Sequence, residues 1–119
     1  MKRQKEVKKK RINGRTKGHA FERTIAEEFR QLGYTNCQTS RLVSKHRDDQ
    51  KVDLVGTGIW NLQLKAVEAK LDYHEILKSM PIEEGQINVV FHKKNRQGVT
   101  VTMSREDFYS LVKMLLENE

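Results

Sequence analysis

Hydrophobic residues recur with a helical period near the start of the chain. They are separated by four, four and three residues, in the set Phe21, Ile25, Phe29 and Leu32. This spacing places them on one face of a helix. Gly33 follows directly and is a typical C-terminal stop. The pattern predicts an amphipathic helix over residues 19–32.

The period shortens to two between Lys51 and Lys65. Two apolar runs flank Gly56-Thr57-Gly58, and the glycines supply the positive φ of a tight turn. A β-hairpin centred on Thr57 places residue 53 opposite residue 61. One face of this hairpin is apolar and carries Val52, Leu54, Trp60, Leu62 and Leu64. The opposite face carries Lys51, Asp53, Asn61, Gln63 and Lys65, and is expected to be exposed to water.

The remaining pattern predicts alternating strands and helices. The expected elements are a strand over 34–43, a loop over 44–50, a helix over 70–80, strands over 87–92 and 98–103, and a C-terminal helix that starts at a capping-box-like segment over 104–107 and ends near Glu117. The turn between the last two strands carries three cations. This order predicts an α/β domain with a central mixed β-sheet flanked by helices.

Positive charge is concentrated at the N-terminus. Residues 1–17 contain nine Lys or Arg and one Glu (+8), whereas the other 102 residues contain fourteen basic and fifteen acidic side chains (−1). So much like charge with so few apolar residues predicts a disordered arm over 1–17, followed by one domain over 18–119. The arm is expected to track phosphates; a solubilising tail and an acidic membrane surface are the alternatives. No apolar run is long enough to cross a bilayer.

Cysteine and histidine usage narrows the chemistry. Cys37 is the only cysteine, which fits a reducing intracellular (cytoplasmic) compartment and excludes zinc sites built from paired cysteines. The four histidines lack metal-ligand spacing, so structural or surface roles are expected for them.

The polar face of the hairpin offers the chemistry of a hydrolytic metal site. Asp53 is a ligand for a divalent cation, Gln63 adds a neutral oxygen, and the Lys65 ammonium can orient water or offset charge on a phosphate. The alternative is an ordinary solvated face. Asp48 and Asp49 are spare acids nearby, whose role the sequence leaves open.

Four short motifs resemble a known family in their order and spacing. They are Lys17-Gly-His-Ala-Phe-Glu22-Arg23, Ser40-Arg41, Val52-Asp53-Leu54-Val55 and Leu62-Gln63-Leu64-Lys65. Together they resemble the PD-(D/E)XK nuclease superfamily, with a layout most similar to archaeal-type Holliday junction resolvases. The resemblance covers residues 17–103 and implies a restriction-endonuclease-like fold.

The resemblance also implies a mechanism. Mg²⁺ or Mn²⁺ would be bound by Glu22, Asp53, Gln63 and the Leu64 backbone carbonyl, and Lys65 would act on the water. Phosphodiester hydrolysis would leave 5′-phosphate and 3′-hydroxyl ends. The substrate would be branched DNA, a four-way junction, cut by a homodimer. The residues expected to contact nucleic acid are Lys8, Lys9, Lys10, Arg11, Arg15, Lys17, Arg23, Ser40 and Arg41, the last three as phosphate contacts or as supports for the ligands.

Gln63 departs from the family pattern, which has Glu or Asp there. An amide oxygen still binds a hard cation but carries no charge, so weaker affinity or another metal preference is expected. Alternatively, Glu68, Asp48 or Asp49 restores the charge, or catalysis is lost and binding kept. Three functions therefore compete: a junction resolvase, a nuclease of the same fold with another DNA substrate, and a non-catalytic nucleic-acid-binding module.

Overall fold

The computed structural model describes residues 14–119, which contain five helices and five strands. In chain order these are α1 (Gly14–Leu32), β1 (Gln38–Thr39), α2 (Ser40–Val43), α3 (Lys45–Asp49), β2 (Leu54–Val55), β3 (Trp60–Lys65), α4 (Tyr73–Ser79), β4 (Ile87–Lys94), β5 (Gly98–Thr102) and α5 (Arg105–Glu117). Among these residues, no helix combines the length and the apolar character needed to cross a membrane.

The central sheet is mixed, as the pattern predicts. Strand β3 pairs in parallel with β4, and β4 pairs antiparallel with β5. Lys65 lies opposite His92 at the end of β3. Because β3 and β4 run in the same direction, their C-terminal ends and the turn from β4 to β5 lie at one edge of the sheet. The α/β class with a mixed sheet and helices is therefore confirmed.

Helix α1 forms the main core with this sheet. The core cluster contains Phe21, Ile25 and Phe29 from α1, together with Leu62 and Leu64 from β3. The three helical residues are each four positions from the next, so the apolar stripe of α1 covers one face of the sheet. The predicted helix is confirmed, and it ends at Leu32 as expected.

The helix also includes residues that the charge pattern assigned to the arm. Residues 14–17 lie within α1, which begins five positions before the start predicted at residue 19. Arg15 and Lys17 are therefore held on a helix. The rest of the arm, including Lys8, Lys9, Lys10 and Arg11, lies outside the described residues.

The segment after α1 differs from the sequence prediction. Only Gln38 and Thr39 form a strand, and two short helices, α2 and α3, replace the expected strand end and loop. The Ser44 hydroxyl accepts a hydrogen bond from the Arg47 N–H and caps α3. Short polar stretches of this kind are governed by caps and tertiary bonds, which override β propensity.

The predicted hairpin is correct in its turn and wrong in its pairing. Gly56 and Gly58 both have positive φ, at 73° and 61°. However, β2 pairs with β1, and β3 pairs with β4. The Asp53 N–H donates to the Leu62 carbonyl at 2.8 Å, one position away from the expected partner.

The expected exposed face of the hairpin is also wrong. Asn61 and Gln63 are only 2% and 7% exposed. The Asn61 amide donates to Glu83 at 3.2 Å and to Asn88 at 3.0 Å, so the chain preceding and entering β4 covers it. At Asn61, the second face of β3 is therefore covered by polar contacts.

Candidate metal and nucleic-acid site

Three hydrogen bonds fix Asp53 beside the C-terminal end of β3. Its carboxylate Oδ2 accepts a bond from the Leu64 N–H at 2.7 Å. Its own N–H donates to the Leu62 carbonyl at 2.8 Å, and its carbonyl accepts from the Ser40 N–H at 2.9 Å. Both the backbone and the side chain of Asp53 are therefore held next to the Gln63–Lys65 segment.

The surroundings of Asp53 raise its pKa to about 6. Burial of the carboxylate is the largest cause, and the charges of Glu22 and Asp48 raise the pKa further. The Leu64 N–H and the Lys65 ammonium lower it. Glu22 and Lys65 are thus both close enough to Asp53 to change its proton affinity, and the three charged residues expected from sequence lie in one electrostatic environment.

Glu22 is held by a cation from α2. The Arg41 Nε donates to the Glu22 Oε1 at 2.7 Å. The Glu22 side chain is 14% exposed and that of Arg41 is 25% exposed, so water screens this pair only partly. Arg41 therefore positions one oxygen of Glu22, and Oε2 takes no part in this bond. Arg41, expected as a nucleic-acid contact, is in this structure a support for a predicted ligand.

Ser40 is a correction to the predicted set of phosphate contacts. It is 0% exposed, and its hydroxyl donates to the Val52 carbonyl. Since its N–H is bonded to Asp53, Ser40 ties α2 to the segment that leads into the site. Its buried position leaves no surface for a phosphate, so its role is to support Asp53.

Gln63 provides a buried oxygen without a partner. Gln63 is 7% exposed, and its side-chain Oε1 has no hydrogen-bond partner among residues 14–119. Leaving a buried acceptor unpaired costs about 1–3 kcal/mol. Amide and carboxylate oxygens are the donors that hard divalent cations prefer. Gln63, Asp53 and Glu22 offer oxygen donors of this kind.

Two of the three acids considered as substitutes for the missing carboxylate form ion pairs elsewhere, and the third is exposed. Glu68 forms an ion pair with Lys17 at 3.7 Å and accepts the Asn95 N–H, so it does not replace the missing carboxylate. Asp49 pairs with Lys45 at 3.2 Å. Asp48 is exposed and acts on Asp53 through its charge.

The basic residues predicted to contact nucleic acid are only partly gathered at this site. Arg23 is exposed on α1, one position after Glu22, while Arg15 and Lys17 lie further towards the N-terminus of the helix.

Within residues 14–119, no three His, Cys, Asp or Glu residues form a group suited to holding a metal ion.

The sequence motifs did not reveal the Arg41–Glu22 pair or the bond from Leu64 to Asp53. Both join residues at least eleven positions apart, and only the packing of α1, α2 and β3 brings them together. Comparisons with protein-family models, curated proteins and solved structures find no match to this chain. Function is therefore inferred from the residues of the site.

Proposed function

We propose that this chain is a metal-dependent, structure-selective DNA endonuclease of the PD-(D/E)XK type, acting on four-way junctions as Holliday junction resolvases do. One observation carries the proposal. Two carboxylates, Glu22 and Asp53, and one ammonium, Lys65, interact electrostatically beside the end of a buried β-strand. The resemblance in motif order supports the same function and implies the restriction-endonuclease-like variant of the α/β fold.

Glu22, Asp53 and Gln63 would hold a Mg²⁺ or Mn²⁺ ion, and the Leu64 carbonyl is the backbone ligand that the resemblance implies. When bound, such an ion supplies Lewis-acid stabilisation of a phosphate and lowers the pKa of coordinated water. The unpartnered Gln63 oxygen supports this assignment, because a ligand would satisfy an otherwise unpaired buried acceptor.

The other polar groups have roles that follow from their contacts. The Leu64 N–H orients the Asp53 carboxylate, and Arg41 orients Glu22. Lys65 is half-buried and acts on Asp53 through its charge, and in this proposal its ammonium would orient the attacking water or offset phosphate charge. Hydrolysis would leave 5′-phosphate and 3′-hydroxyl ends.

A second copy of the chain is part of the proposal. Two strands of a junction must be cut symmetrically, and a twofold dimer presents two sites for that purpose. Helix α5 has no buried residue, and three of its large apolar side chains, Phe108, Leu115 and Leu116, are 50–62% exposed. An apolar helix face of this kind marks an interface, and we assign it to the homodimer.

The proposal is tested by cleavage of a labelled four-way DNA junction and of linear duplexes with the same arm sequences. We expect paired nicks in the junction with Mg²⁺ or Mn²⁺, and none in EDTA. Asp53→Asn and Lys65→Ala should abolish cleavage while junction binding persists. Lys78→Ala is the matched control, since Lys78 lies on α4 and pairs only with Glu75.

The products separate the nuclease functions. Equal cleavage of linear duplex would favour a nuclease of the same fold with another DNA substrate. Tight junction binding without nicks in either metal would favour a binding module, the candidate that Gln63 supports because it leaves the site with one carboxylate fewer than the family pattern.

A further inference from the structure

We propose that the turn from β4 to β5 is a second contact for the phosphate backbone of a nucleic acid, next to the site at the end of β3. This cationic tip consists of Lys93, Lys94, Asn95, Arg96 and Gln97. The inference rests on the proposed function for its ligand class. It adds residues that the motifs did not assign to any site.

The sheet register places the tip beside Lys65. Lys65 is opposite His92, and β4 continues two residues further to Lys94. With strands about 4.8 Å apart and about 3.3 Å per residue, the Lys94 Cα lies roughly 8 Å from that of Lys65. Side chains alternate along a strand, so Lys65, His92 and Lys94 project from the same face of the sheet. The phosphate backbone of a nucleic acid that reaches Lys65 therefore passes close to the tip.

The tip is anchored to the start of the first helix. The Asn95 N–H donates to both carboxylate oxygens of Glu68, at 3.0 and 3.2 Å. The same carboxylate pairs with Lys17 of α1 at 3.7 Å. The Gln97 N–H donates to the Lys94 carbonyl at 3.2 Å, which closes the turn. The tip is thus held next to the N-terminal part of α1.

The three cations of the tip are not held in ion pairs, and the one carboxylate at the tip, that of Glu68, is shared with Lys17. Lys93, Lys94 and Arg96 form no ion pair with any acid among residues 14–119, and Lys93 and Arg96 are exposed. By contrast, exposed Lys45 and Lys78 each pair with an acid on their own helix. Three cations without an ion pair outnumber the single carboxylate at the tip, so the local potential is positive and suited to phosphates.

A nucleic acid fits this surface better than an anionic membrane does. The segment from Lys93 to Gly98 contains no apolar side chain that could insert among lipids. Arg96 adds a planar guanidinium, which binds phosphate oxygens in pairs.

The test variant is the double substitution Lys94→Gln with Arg96→Asn. Asn suits position 96 because Arg96 has a φ of 63°, a conformation in which Asn is common. The control is Lys78→Gln with Lys113→Gln, which removes the same charge from α4 and α5. Binding of the full chain to a fluorescent four-way DNA junction is measured in EDTA across a range of salt concentrations. Vesicles of phosphatidylserine and phosphatidylcholine form the second arm.

We expect the tip variant to lose about tenfold or more in junction affinity at about 0.1 M salt. Its slope of log K against log[salt] should fall by about 1–2, since each lost phosphate contact removes about 0.9. The control should match the wild type. An unchanged slope in the tip variant, or an equal change in the control, would overturn this inference. The proposed function would still stand in that case if the wild type cleaved the junction. Vesicle binding lost in the tip variant, with junction binding intact, would assign the tip to a membrane. A wild-type chain that binds no DNA would overturn both proposals.

Discussion

Replacing Asp53 by Asn should stabilise the metal-free protein while abolishing cleavage. The fold raises the pKa of Asp53 from its ordinary 3.8 to about 6, mainly by burial. At 1.36 kcal/mol per unit, the ionised carboxylate destabilises the folded state by about 3 kcal/mol at neutral pH. An Asn side chain carries no charge, and its amide oxygen can still accept the hydrogen bond from the Leu64 N–H.

The difference in stability should develop between about pH 4 and pH 6 and persist at higher pH. Because the folded state holds the Asp53 proton more tightly than the unfolded state, wild-type stability should fall as the pH rises from about 4 to 6 and then level off. The Asn variant lacks this decrease. At pH 8 it should be more stable by about 3 kcal/mol, or roughly 10 °C in Tm, and at pH 4 the two should be nearly equal.

Urea unfolding in EDTA at several pH values measures this difference. Asp49→Asn is the control, since Asp49 lies on the surface and pairs with Lys45. It should show no comparable gain. In a parallel series with Mg²⁺, the wild type should gain stability and the Asp53→Asn variant should not. A difference between wild type and variant that stays constant from pH 4 to pH 8 would refute the electrostatic reasoning.

Three further predictions concern other positions. Gln63→Leu should raise the free energy of unfolding of the metal-free protein by about 1 kcal/mol, because it removes an unpaired buried acceptor, and it should abolish cleavage. Calorimetry measures the stability and the junction assay measures the cleavage. A stable variant that still cuts would exclude Gln63 as a ligand. Gly56→Ala should destabilise the protein by about 2 kcal/mol or more, since the new Cβ would lie 2.5 Å from the Asn36 carbonyl oxygen at a φ of 73°. Gly85→Ala is its control in urea unfolding, with a similar φ of 79° but no atom within 4 Å, and equal losses would rule out the contact with Asn36. Leu116→Glu should convert a dimer to a monomer in light scattering, and a persisting dimer would exclude the α5 surface.

The spacing of apolar residues was sufficient to predict those elements whose buried side chains are close together in the sequence. Helix α1 buries the residues that its spacing selects, such as Phe21 and Ile25, because one face of a long helix meets one sheet. The turn at Gly56 and Gly58 was also predictable, since positive φ strongly favours glycine. These features depend on residues that are close in sequence.

Partner choice was less predictable, because it depends on distant residues. The periodic pattern of β3 is satisfied equally by pairing with residues 51–55 or with β4, and the fold uses β4. Ser40 is β-prone in its context, yet its bonds to Val52 and Asp53 end the strand there. The burial of Gln63 could not be inferred either, since burial depends on which segments cover each face of the sheet.

The balance of charge at the site gives Gln63 a physical role. Burial and the charge of Glu22 already raise the pKa of Asp53, while the charge of Lys65 lowers it. Arg41 forms an ion pair with Glu22. A third carboxylate at position 63 would be buried beside these groups, so it would raise the pKa of Asp53 further and destabilise the metal-free fold. A neutral amide avoids that repulsion and keeps an oxygen available. The compensating loss is weaker attraction for the proposed cation. In the proposed cleavage reaction, the chain should therefore need a higher Mg²⁺ concentration than its own Gln63→Glu variant, and that variant should be the less stable of the two in EDTA.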